Sequence, residues 1–277
     1  MPEGHTLLRL ANELDAAFAG RPVRVSSPQG RFAADAAQVD GALVVGAESA
    51  GKHLFVEFAG ERYLHVHLGL IGKFDLYAGA PPAVTTGQVR VRLQNETTYA
   101  DLRGATQCDL VGPDRRRAVI DKLGADPLKP DADPERAWQR IARSHRSIGD
   151  LLMDQEIVAG VGNVYRAEIL FRHRIHPLRP GKTLRRPQFL ALWADLIELM
   201  TYGVATGRID TVRPEHTPEA MGRPPRQDDH GGEVYVYRRT GQECLVCGAK
   251  VRTEILVGRN LFWCPRCQPV FRSRAVV

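Results

Sequence analysis

The stretch CLVCGAKVRTEILVGRNLFWCPRC at 244–267 contains two Cys-x-x-Cys pairs with 16 residues between them. Each tight pair can direct two thiolates at one point, and the intervening stretch is long enough for a β-hairpin, so the spacing favours a tetrahedral zinc site. A site with four sulfur ligands is closed, and its metal is expected to hold the fold. Two disulfides or a redox motif are the alternatives; a reducing cytosol disfavours the first, and the second copy of the pair disfavours the other. We predict one structural zinc ion on Cys244, Cys247, Cys264 and Cys267.

Length and composition are those of a globular protein. With 277 residues the chain is expected to form one large or two modest domains, and 43% hydrophobic residues are enough for a packed core. The chain start carries Glu3, Glu13 and Asp15 where a secretory signal would be basic and apolar, and no run of 18 apolar residues occurs. We therefore expect a cytoplasmic protein with no membrane partner.

The charge balance favours a polyanionic partner only weakly, because the net charge is +6 and many basic enzymes never bind nucleic acid. The distribution is more informative than the total. Residues 241–277, which include the four paired cysteines, carry six basic residues against two acidic ones.

Upstream of the cysteines the chain changes from a strand-rich to a helix-rich pattern. Apolar residues recur at helical spacing from Leu7 to Phe18, which predicts a helix almost at the chain start. Short β-rich runs without intervening helices then predict a sandwich or barrel of mainly antiparallel strands. These runs lie at 23–26, 43–47, 54–58, 63–68, 74–77, 89–93 and 97–100.

The segment LGADPLKPDAD at 123–133 is rich in Pro and Asp and has no periodicity, which is typical of a linker. Beyond it, Ser147 is a candidate helix N-cap, and apolar residues at 189–200 predict a core helix. Residues 207–233 are rich in Pro, Gly and charge and predict a long loop that is mobile or orders on binding. We divide the chain into a domain at 1–122, a linker at 123–135, a helical domain at 136–235 and a zinc finger at 236–277.

The segment VAGVGNVYRAE at 158–168 is a candidate phosphate site. Gly160 and Gly162 permit a tight turn whose amides open onto a helix N-terminus, and the Asn163 amide is a further donor. A dinucleotide fingerprint is excluded, because Tyr165 stands in place of its third glycine and a helix precedes the turn. A helix-turn-helix corner with glycines for close packing explains the segment equally well.

Five motifs in order resemble those of the formamidopyrimidine-DNA glycosylase and endonuclease VIII family of base-excision repair enzymes. They are MPEG at the start, GKHLF at 51–55, HLGL at 67–70, LLMDQ with VAGVGNVY at 151–165, and GRNLFWCPRC at 258–267. The resemblance spans nearly the whole chain. It implies a multidomain α+β architecture: an N-terminal β-sandwich with a flanking helix, a helix-two-turn-helix domain and a C-terminal β-hairpin zinc finger.

The resemblance also implies a chemistry. In the family the initiator Met is removed and the proline, here Pro2, becomes an N-terminal amine nucleophile. An α-amino group has a pKa of about 8 against roughly 10.4 for lysine, so a larger fraction is free base near neutral pH. Attack at sugar C1′ releases the damaged base and leaves an iminium ion, which permits β- and then δ-elimination. Glu3 matches the carboxylate that handles protons at the sugar.

Further residues match the family's DNA contacts. Lys52 matches a hairpin lysine that contacts a phosphate beside the lesion and assists the lyase step, and Arg259 matches the zinc-finger arginine that clamps the backbone. Asn163, His67 and Tyr165 complete the implied phosphate-binding set. A packed strand histidine remains the alternative for His67.

Extrusion of a base leaves a hole that costs a few kcal/mol unless it is filled. Leu70 matches the family's intercalating side chain. The oxidised-purine branch of the family is expected to have an Arg and a Phe beside this position. Neither is evident here, because the matching segment is Asp101-Leu-Arg-Gly-Ala. Arg103 in this segment is expected to contact the orphaned base. This departure favours the endonuclease VIII branch, and the pattern is most similar to its actinobacterial members. A second departure is Thr6, where many members have a glutamate.

We therefore expect a monomeric, bifunctional glycosylase and abasic-site lyase that acts on oxidised pyrimidines in double-stranded DNA. An oxidised-purine glycosylase is the alternative within this class. A non-catalytic protein that binds damaged DNA is the alternative outside it, and retention of Met1 would favour it. A general zinc-finger regulator is a weaker choice, because one finger without dimerisation heptads would read little sequence.

Overall fold

The computed structural model describes residues 2–227 and 232–272, and the chain divides into two compact units between Lys122 and Leu123. We call residues 2–122 unit 1 and the described residues from 123 onward unit 2. Met1, whose removal the sequence analysis requires, and residues 228–231 of the expected loop lie outside the described residues.

Unit 1 contains two four-stranded sheets whose strands are all antiparallel, ordered β1-β6-β7-β5 and β2-β3-β4-β8. Three helices accompany them. The bounds are α1 (Gly4–Phe18), β1 (Arg24–Ser26), α2 (Ala33–Val39), β2 (Val44–Ala50), β3 (His53–Phe58), β4 (Arg62–His67), β5 (Lys73–Ala78), β6 (Val89–Gln94), β7 (Thr98–Arg103), β8 (Gln107–Val111) and α3 (Pro113–Ile120).

Side-chain alternation determines which face of each sheet is buried. In β3 and β4, Leu54, Val56, Leu64 and Val66 join the apolar core, which also takes residues from the other sheet and the buried stripe of α1. Successive strand residues point to opposite faces, so their neighbours lie on the outer face of the sheet. His53 and His65 are on that outer face, which the candidate site uses.

Unit 2 packs helices and a β-hairpin around one second core. Its elements are α4 (Pro134–Ala142), α5 (Ile148–Leu151), α6 (Asn163–Arg172), α7 (Arg186–Thr206), α8 (Pro218–Met221), β9 (Arg252–Leu256) and β10 (Arg259–Trp263), with single 3-10 turns at Gly181–Thr183 and Pro214–His216. Phe262 and Cys264 belong to the same core as the helices, so the hairpin and the helices form one packed body.

Helix α7 is the one described helix that is long and apolar enough to cross a membrane, with a mean hydropathy of 1.3 over its window. Its buried residues Phe189, Leu192, Leu196 and Met200 recur at helical spacing and lie in the core of unit 2. The pattern is that of a core helix.

A buried carboxylate connects α6 to the segment that precedes the zinc hairpin. Glu168 is fully buried and accepts backbone N–H bonds from Tyr235, Val236 and Tyr237 at 2.6, 2.9 and 2.8 Å. It also accepts a bond of 2.7 Å from Thr211 Oγ1. A buried charge is tolerated when hydrogen bonds replace its lost water. Here they hold Thr211 and Tyr235 on either side of a segment that was predicted as a loop and that contains the 3-10 turn Pro214–His216 and α8.

Residues 123–133 contain no helix or strand, yet they are fastened to unit 2. Gly124 donates its N–H to the carbonyl of Gln155 over 2.8 Å, and Ala125 forms a parallel bridge with Val158. A Cβ at Gly124 would overlap the backbone of Ile157, so only glycine permits this approach.

The expected architecture is confirmed: a β-sandwich with a flanking helix, a helical body and a C-terminal hairpin. Helices α2 and α3 and strand β8 were not predicted from the sequence. Helix α2 has only seven residues, α3 has no buried residue and therefore no apolar periodicity, and β8 places Gln107 and Asp109 on its outer face, which weakens its β signal.

Replacing Glu168 by Gln should lower the free energy of unfolding of unit 2 by about 3 kcal/mol, because an amide has one acceptor oxygen for four donors. All three tryptophans, Trp138, Trp193 and Trp263, lie in unit 2, so urea unfolding followed by tryptophan fluorescence isolates this unit. Glu198→Gln on the exposed side of α7 is the control and should change stability by no more than about 0.5 kcal/mol. A loss below about 1 kcal/mol in Glu168→Gln would contradict the anchoring role.

Candidate functional site

The chain start is held by the first turn of α1. Glu3 is fully buried and forms a capping box with Thr6: the Glu3 N–H donates to Thr6 Oγ1 over 3.4 Å, and the Glu3 side chain accepts from the Thr6 N–H. The Thr6 N–H also lies 2.9 Å from the Glu3 carbonyl, a backbone bond of the first turn. Pro2, directly before this cap, is half-buried. Thr6, which departs from the family pattern, therefore has a defined part in starting the helix.

His5 adds a neutral group to this region. It is buried, its ring Nε2 lies 3.3 Å from Thr6 Oγ1, and burial together with the positive charge of the amino terminus lowers its pKa to about 4. A histidine with such a pKa is uncharged at neutral pH.

Lys52 lies in the two-residue turn between β2 and β3, as the sequence analysis expected of a hairpin lysine. Gly51 precedes it at a φ of +54°, a left-handed conformation that favours glycine in such turns. His67, at the end of β4, pairs with His53 across the sheet, and its Nδ1 lies 3.0 Å from Thr106 Oγ1. Burial, and next the charge of Lys52, lower the pKa of His67. Lys52 directly precedes His53, the residue opposite His67, so the hairpin places Lys52 at the same end of the sheet as His67.

The loop between β4 and β5 presents apolar side chains to solvent. Leu70 is 60% exposed and Ile71 is 79% exposed. The loop is tightly built, because a Cβ at Gly69 would overlap the Thr106 side chain and one at Gly72 would overlap the Leu68 carbonyl. The sequence analysis identified Leu70 but missed Ile71, whose signal was a second apolar residue between two loop glycines.

Arg103 is oriented by a buried carboxylate. Asp101, 1% exposed, accepts bonds of 2.6 and 2.8 Å from Arg92 and a bond of 2.8 Å from Arg103 Nη2. The Arg103 side chain keeps 30% exposure. Its guanidinium is thus held in one direction at the end of β7, which is what a side chain that contacts a base requires.

In unit 2, Asn163 is the first residue of α6, and it binds the zinc hairpin. Its Nδ2 donates to the carbonyl of Asn260 over 3.0 Å, while its Oδ1 accepts a short bond from Arg166. Arg166 is 1% exposed and also donates to the Asn260 carbonyl over 2.9 Å. These bonds fix the backbone beside Arg259, which is exposed on β10. The sequence analysis missed Arg166, which carries no motif signal of its own.

The position of Tyr165 contradicts its expected role in phosphate binding. Its side chain is fully buried in the core of unit 2, and its hydroxyl donates to the Leu199 carbonyl over 3.4 Å. A side chain in this position cannot contact a DNA phosphate. The packing of α6 against α7 explains why an aromatic residue stands here.

The four paired cysteines converge at the base of the hairpin. Their sulfur atoms lie within 4.8 Å of one another, with Cys244 and Cys267 at 3.8 Å and Cys247 and Cys264 at 3.5 Å. Four soft sulfur donors in this arrangement fit one tetrahedral zinc ion with no open position. Among the described residues this is the one cluster of at least three ligand groups that fits a metal. The expected structural zinc site is confirmed.

Comparisons with known proteins agree with this layout. The chain matches family models described as the formamidopyrimidine-DNA glycosylase N-terminal domain over residues 1–108, the formamidopyrimidine-DNA glycosylase H2TH domain over 123–214, and the zinc finger found in FPG and IleRS over 241–270.

Whole-length relatives extend the agreement. The chain is 50% identical to "Endonuclease 8 1" of Mycobacterium tuberculosis and 29% identical to "Endonuclease 8" of Escherichia coli, each time over 97% of this chain and 100% of the relative. It is 34% identical to the "Formamidopyrimidine-DNA glycosylase" of a Synechococcus strain over 74% of this chain and 72% of that protein.

A solved structure of the Lactococcus lactis formamidopyrimidine-DNA glycosylase, non-covalently bound to DNA with an abasic site, has a similar fold. The TM-score is 0.77 at 22% identity, over 97% of this chain and 100% of that one.

The buried histidines make the stability of unit 1 depend on pH. The pKa values of His5, His53 and His65 are each lowered to about 4, chiefly by burial, whereas the unfolded chain binds these protons near pH 6.5. Between these values the unfolded state holds more protons, so stability is full above pH 6.5 and declines as the pH falls toward 4. Amide hydrogen exchange of β3 and β4, corrected for its intrinsic pH dependence, should therefore report weaker protection at pH 5 than at pH 7. Equal protection at both values would show that these histidines are not held neutral.

Proposed function

The chain belongs to the formamidopyrimidine-DNA glycosylase and endonuclease VIII family, and on that premise we propose that it is a bifunctional DNA glycosylase and abasic-site lyase of base-excision repair that removes oxidised pyrimidines through a Schiff base on Pro2. The observation that carries this proposal is the position of Pro2, directly before a buried Glu3 at the capped N-terminus of α1.

Removal of Met1 exposes the secondary amine of Pro2. The free base of this amine is the nucleophile, and the positive end of the 15-residue helix α1 disfavours its protonated form. Attack at C1′ forms a C–N bond and breaks the glycosidic bond, and the base leaves with the proton of the amine. The C1′–O4′ bond then breaks as the ring oxygen takes up a proton, which leaves a C=N double bond between C1′ and Pro2. The resulting iminium ion acidifies the C2′ proton, and its loss cleaves the 3′ C–O bond; a second elimination releases the 5′ phosphate.

In this proposal Glu3 moves the protons of these steps. The ring oxygen of the deoxyribose must gain a proton as the ring opens, and C2′ must lose one before the strand is cut. Glu3 is adjacent to the nucleophile in sequence and fixed by the first turn of α1. A carboxyl group held beside the reacting carbon is suited to general acid and base catalysis.

In this proposal each unit supplies side chains that contact the DNA backbone. Lys52 and His67 offer donors at one end of the outer sheet of unit 1, and Arg259 offers a guanidinium on the hairpin of unit 2. Asn163 is buried and contributes by positioning the backbone beside Arg259.

Leu70 and Ile71 are suited to fill the space left by an extruded base. Both side chains are largely exposed on a closely packed loop, so they are accessible to a base stack. We assign the contact with the orphaned base to Arg103, whose guanidinium is held by Asp101. The Asp101-Leu-Arg-Gly-Ala segment has no phenylalanine for the oxidised-purine type of filler, which favours oxidised pyrimidines as substrates.

When bound, the zinc ion stabilises the fold and takes no part in the reaction, because four thiolates leave it no open position. A double-stranded DNA partner, a monomeric state and a cytoplasmic location complete the proposal. The net charge of +6 and the basic residues of the hairpin suit a polyanion. The apolar stripe of α7 is buried in the core of unit 2.

Borohydride should trap the mature protein on a duplex that contains an abasic site, because it reduces the iminium ion to a stable amine. Pro2→Ala should lower the trapping rate at least about tenfold, since a primary amine on a less constrained residue replaces the secondary amine. Arg62→Ala, at the opposite end of β4 from His67, is the matched control and should trap like the wild type. Undiminished trapping in Pro2→Ala would refute the nucleophile assignment. A mature protein that retains Met1 and traps nothing would favour a non-catalytic DNA-binding role.

Single-turnover excision of thymine glycol and 8-oxoguanine from otherwise identical duplexes separates the two substrate classes. We expect thymine glycol to be released at least about tenfold faster, because the filler residues of the oxidised-purine type are absent. Abasic-site cleavage in the same duplex is the control for active enzyme. Faster release of 8-oxoguanine would establish the oxidised-purine alternative.

A further inference from the structure

The outer face of sheet β2-β3-β4-β8 carries a row of polar side chains, of which the proposed function uses only His67. His65 pairs with Asp109 across β4 and β8, His67 pairs with Gln107, and His53 pairs with His67 across β3 and β4. These five residues therefore lie on one face. His65 is fully buried and stacks on Phe55 with ring centroids 4.5 Å apart, whereas His53 is only partly buried.

A chain of hydrogen bonds connects four of them. Gln107 Nε2 lies 2.9 Å from Asp109 Oδ2 and 3.2 Å from His65 Nδ1, and His65 Nε2 lies 2.9 Å from His53 Nδ1. We call Asp109, Gln107, His65 and His53 the relay.

The direction of every bond in the relay follows from its first member. A carboxylate only accepts, so the Gln107 amide nitrogen donates to Asp109, and its second hydrogen is directed at His65 Nδ1. His65 Nδ1 must then accept, which leaves the single proton of a neutral ring on Nε2. That proton is donated to His53 Nδ1, and the proton of His53 is therefore also on Nε2.

Both rings stay neutral in this arrangement. Burial is the main cause that lowers the pKa of His53 and of His65 to about 4. The other two histidines and Lys52 lower the pKa of His53 further. For His65, the charge of Arg115 opposes the raising effect of Asp109. Protonation of His53 would require a hydrogen on Nδ1, where the His65 donor already points. The relay thus ends in an uncharged N–H donor of fixed direction.

We propose that His53 is an additional DNA-binding residue whose Nε2–H donates to a phosphate oxygen of the DNA backbone, and that the relay positions it for this purpose. This inference rests on the proposed function. His53 follows Lys52 directly in the chain, and its ring centroid lies 5.1 Å from that of His67. It therefore lies between the two residues that the family resemblance assigns to phosphate contacts.

A phosphate fits this donor better than a metal ion. Among the described residues the histidines form no group of three converging ligands, and His53 Nδ1 is occupied by His65. A phosphodiester requires donors and positive charge, and Lys52 supplies the charge that the neutral ring lacks.

The tautomers are measurable in the intact wild-type protein. Long-range proton–nitrogen NMR of histidine-labelled protein should show His53 and His65 as neutral Nε2–H tautomers from pH 5.5 to 8. Addition of a duplex with a stable abasic-site analogue should move the His53 Nε2–H proton downfield. A His53 ring protonated on Nδ1, or one whose Nε2 signal does not respond to the duplex, would overturn the proposal.

Binding of the same duplex at several salt concentrations tests the phosphate contact itself. His53→Phe removes the donor and keeps a ring, so its Kd should rise about tenfold with an unchanged salt dependence, because no charge is lost. Lys52→Ala should reduce the slope of log K against log salt by about one, and Arg62→Ala should match the wild type in both respects.

Wild-type affinity in His53→Phe would refute the inference while leaving the glycosylase proposal intact. Equal affinity of the wild type for damaged and undamaged duplex, with no trapping, would instead refute the proposed function. Thermal unfolding of His53→Phe checks that the fold is retained, and the NMR measurement on the wild type decides the matter if it is not.

Discussion

The chemistry proposed for this protein depends on the capped first turn of α1. A chain terminus is ordinarily mobile, and a mobile amine cannot be held against a sugar carbon. Here Glu3 is buried, and its hydrogen bonds with Thr6 begin the helix one residue later. Pro2 is therefore attached to a rigid element, and the rigidity of its own ring limits its movement further. Every later step of the reaction presupposes this placement.

Each unit orients an exposed functional group through a buried polar one. Asp101 directs Arg103 in unit 1, and Arg166 with Asn163 fixes the backbone beside Arg259 in unit 2. Burying a polar group costs free energy unless all its hydrogen bonds are made, so such contacts have few alternative geometries. The same principle explains the relay that ends at His53, where the buried imidazole of His65 sets the direction of the His53 ring.

The sequence predicted local features well and non-local ones poorly. Strand alternation, the stripe of α7 and the cysteine spacing are periodic or short-range signals, and the fold and the zinc site that they predicted are confirmed. Tyr165 has the same sequence context whether it faces DNA or the core, and only the packing of α6 on α7 decides between them. Arg166 likewise has no signal in the sequence, because the carbonyl that it binds on the zinc hairpin is 94 residues away. The predicted roles of Pro2, Glu3, Lys52 and Leu70 rest on the family resemblance and on a geometry that suits them.

The most direct test of this account locates the covalent bond. The mature protein is reduced with borohydride on an abasic-site duplex, the DNA is digested, and the modified peptide is sequenced by mass spectrometry. The account predicts that the deoxyribose remnant is on the nitrogen of Pro2 in the N-terminal peptide. A remnant on the side-chain nitrogen of Lys52, or on any other lysine, would contradict it.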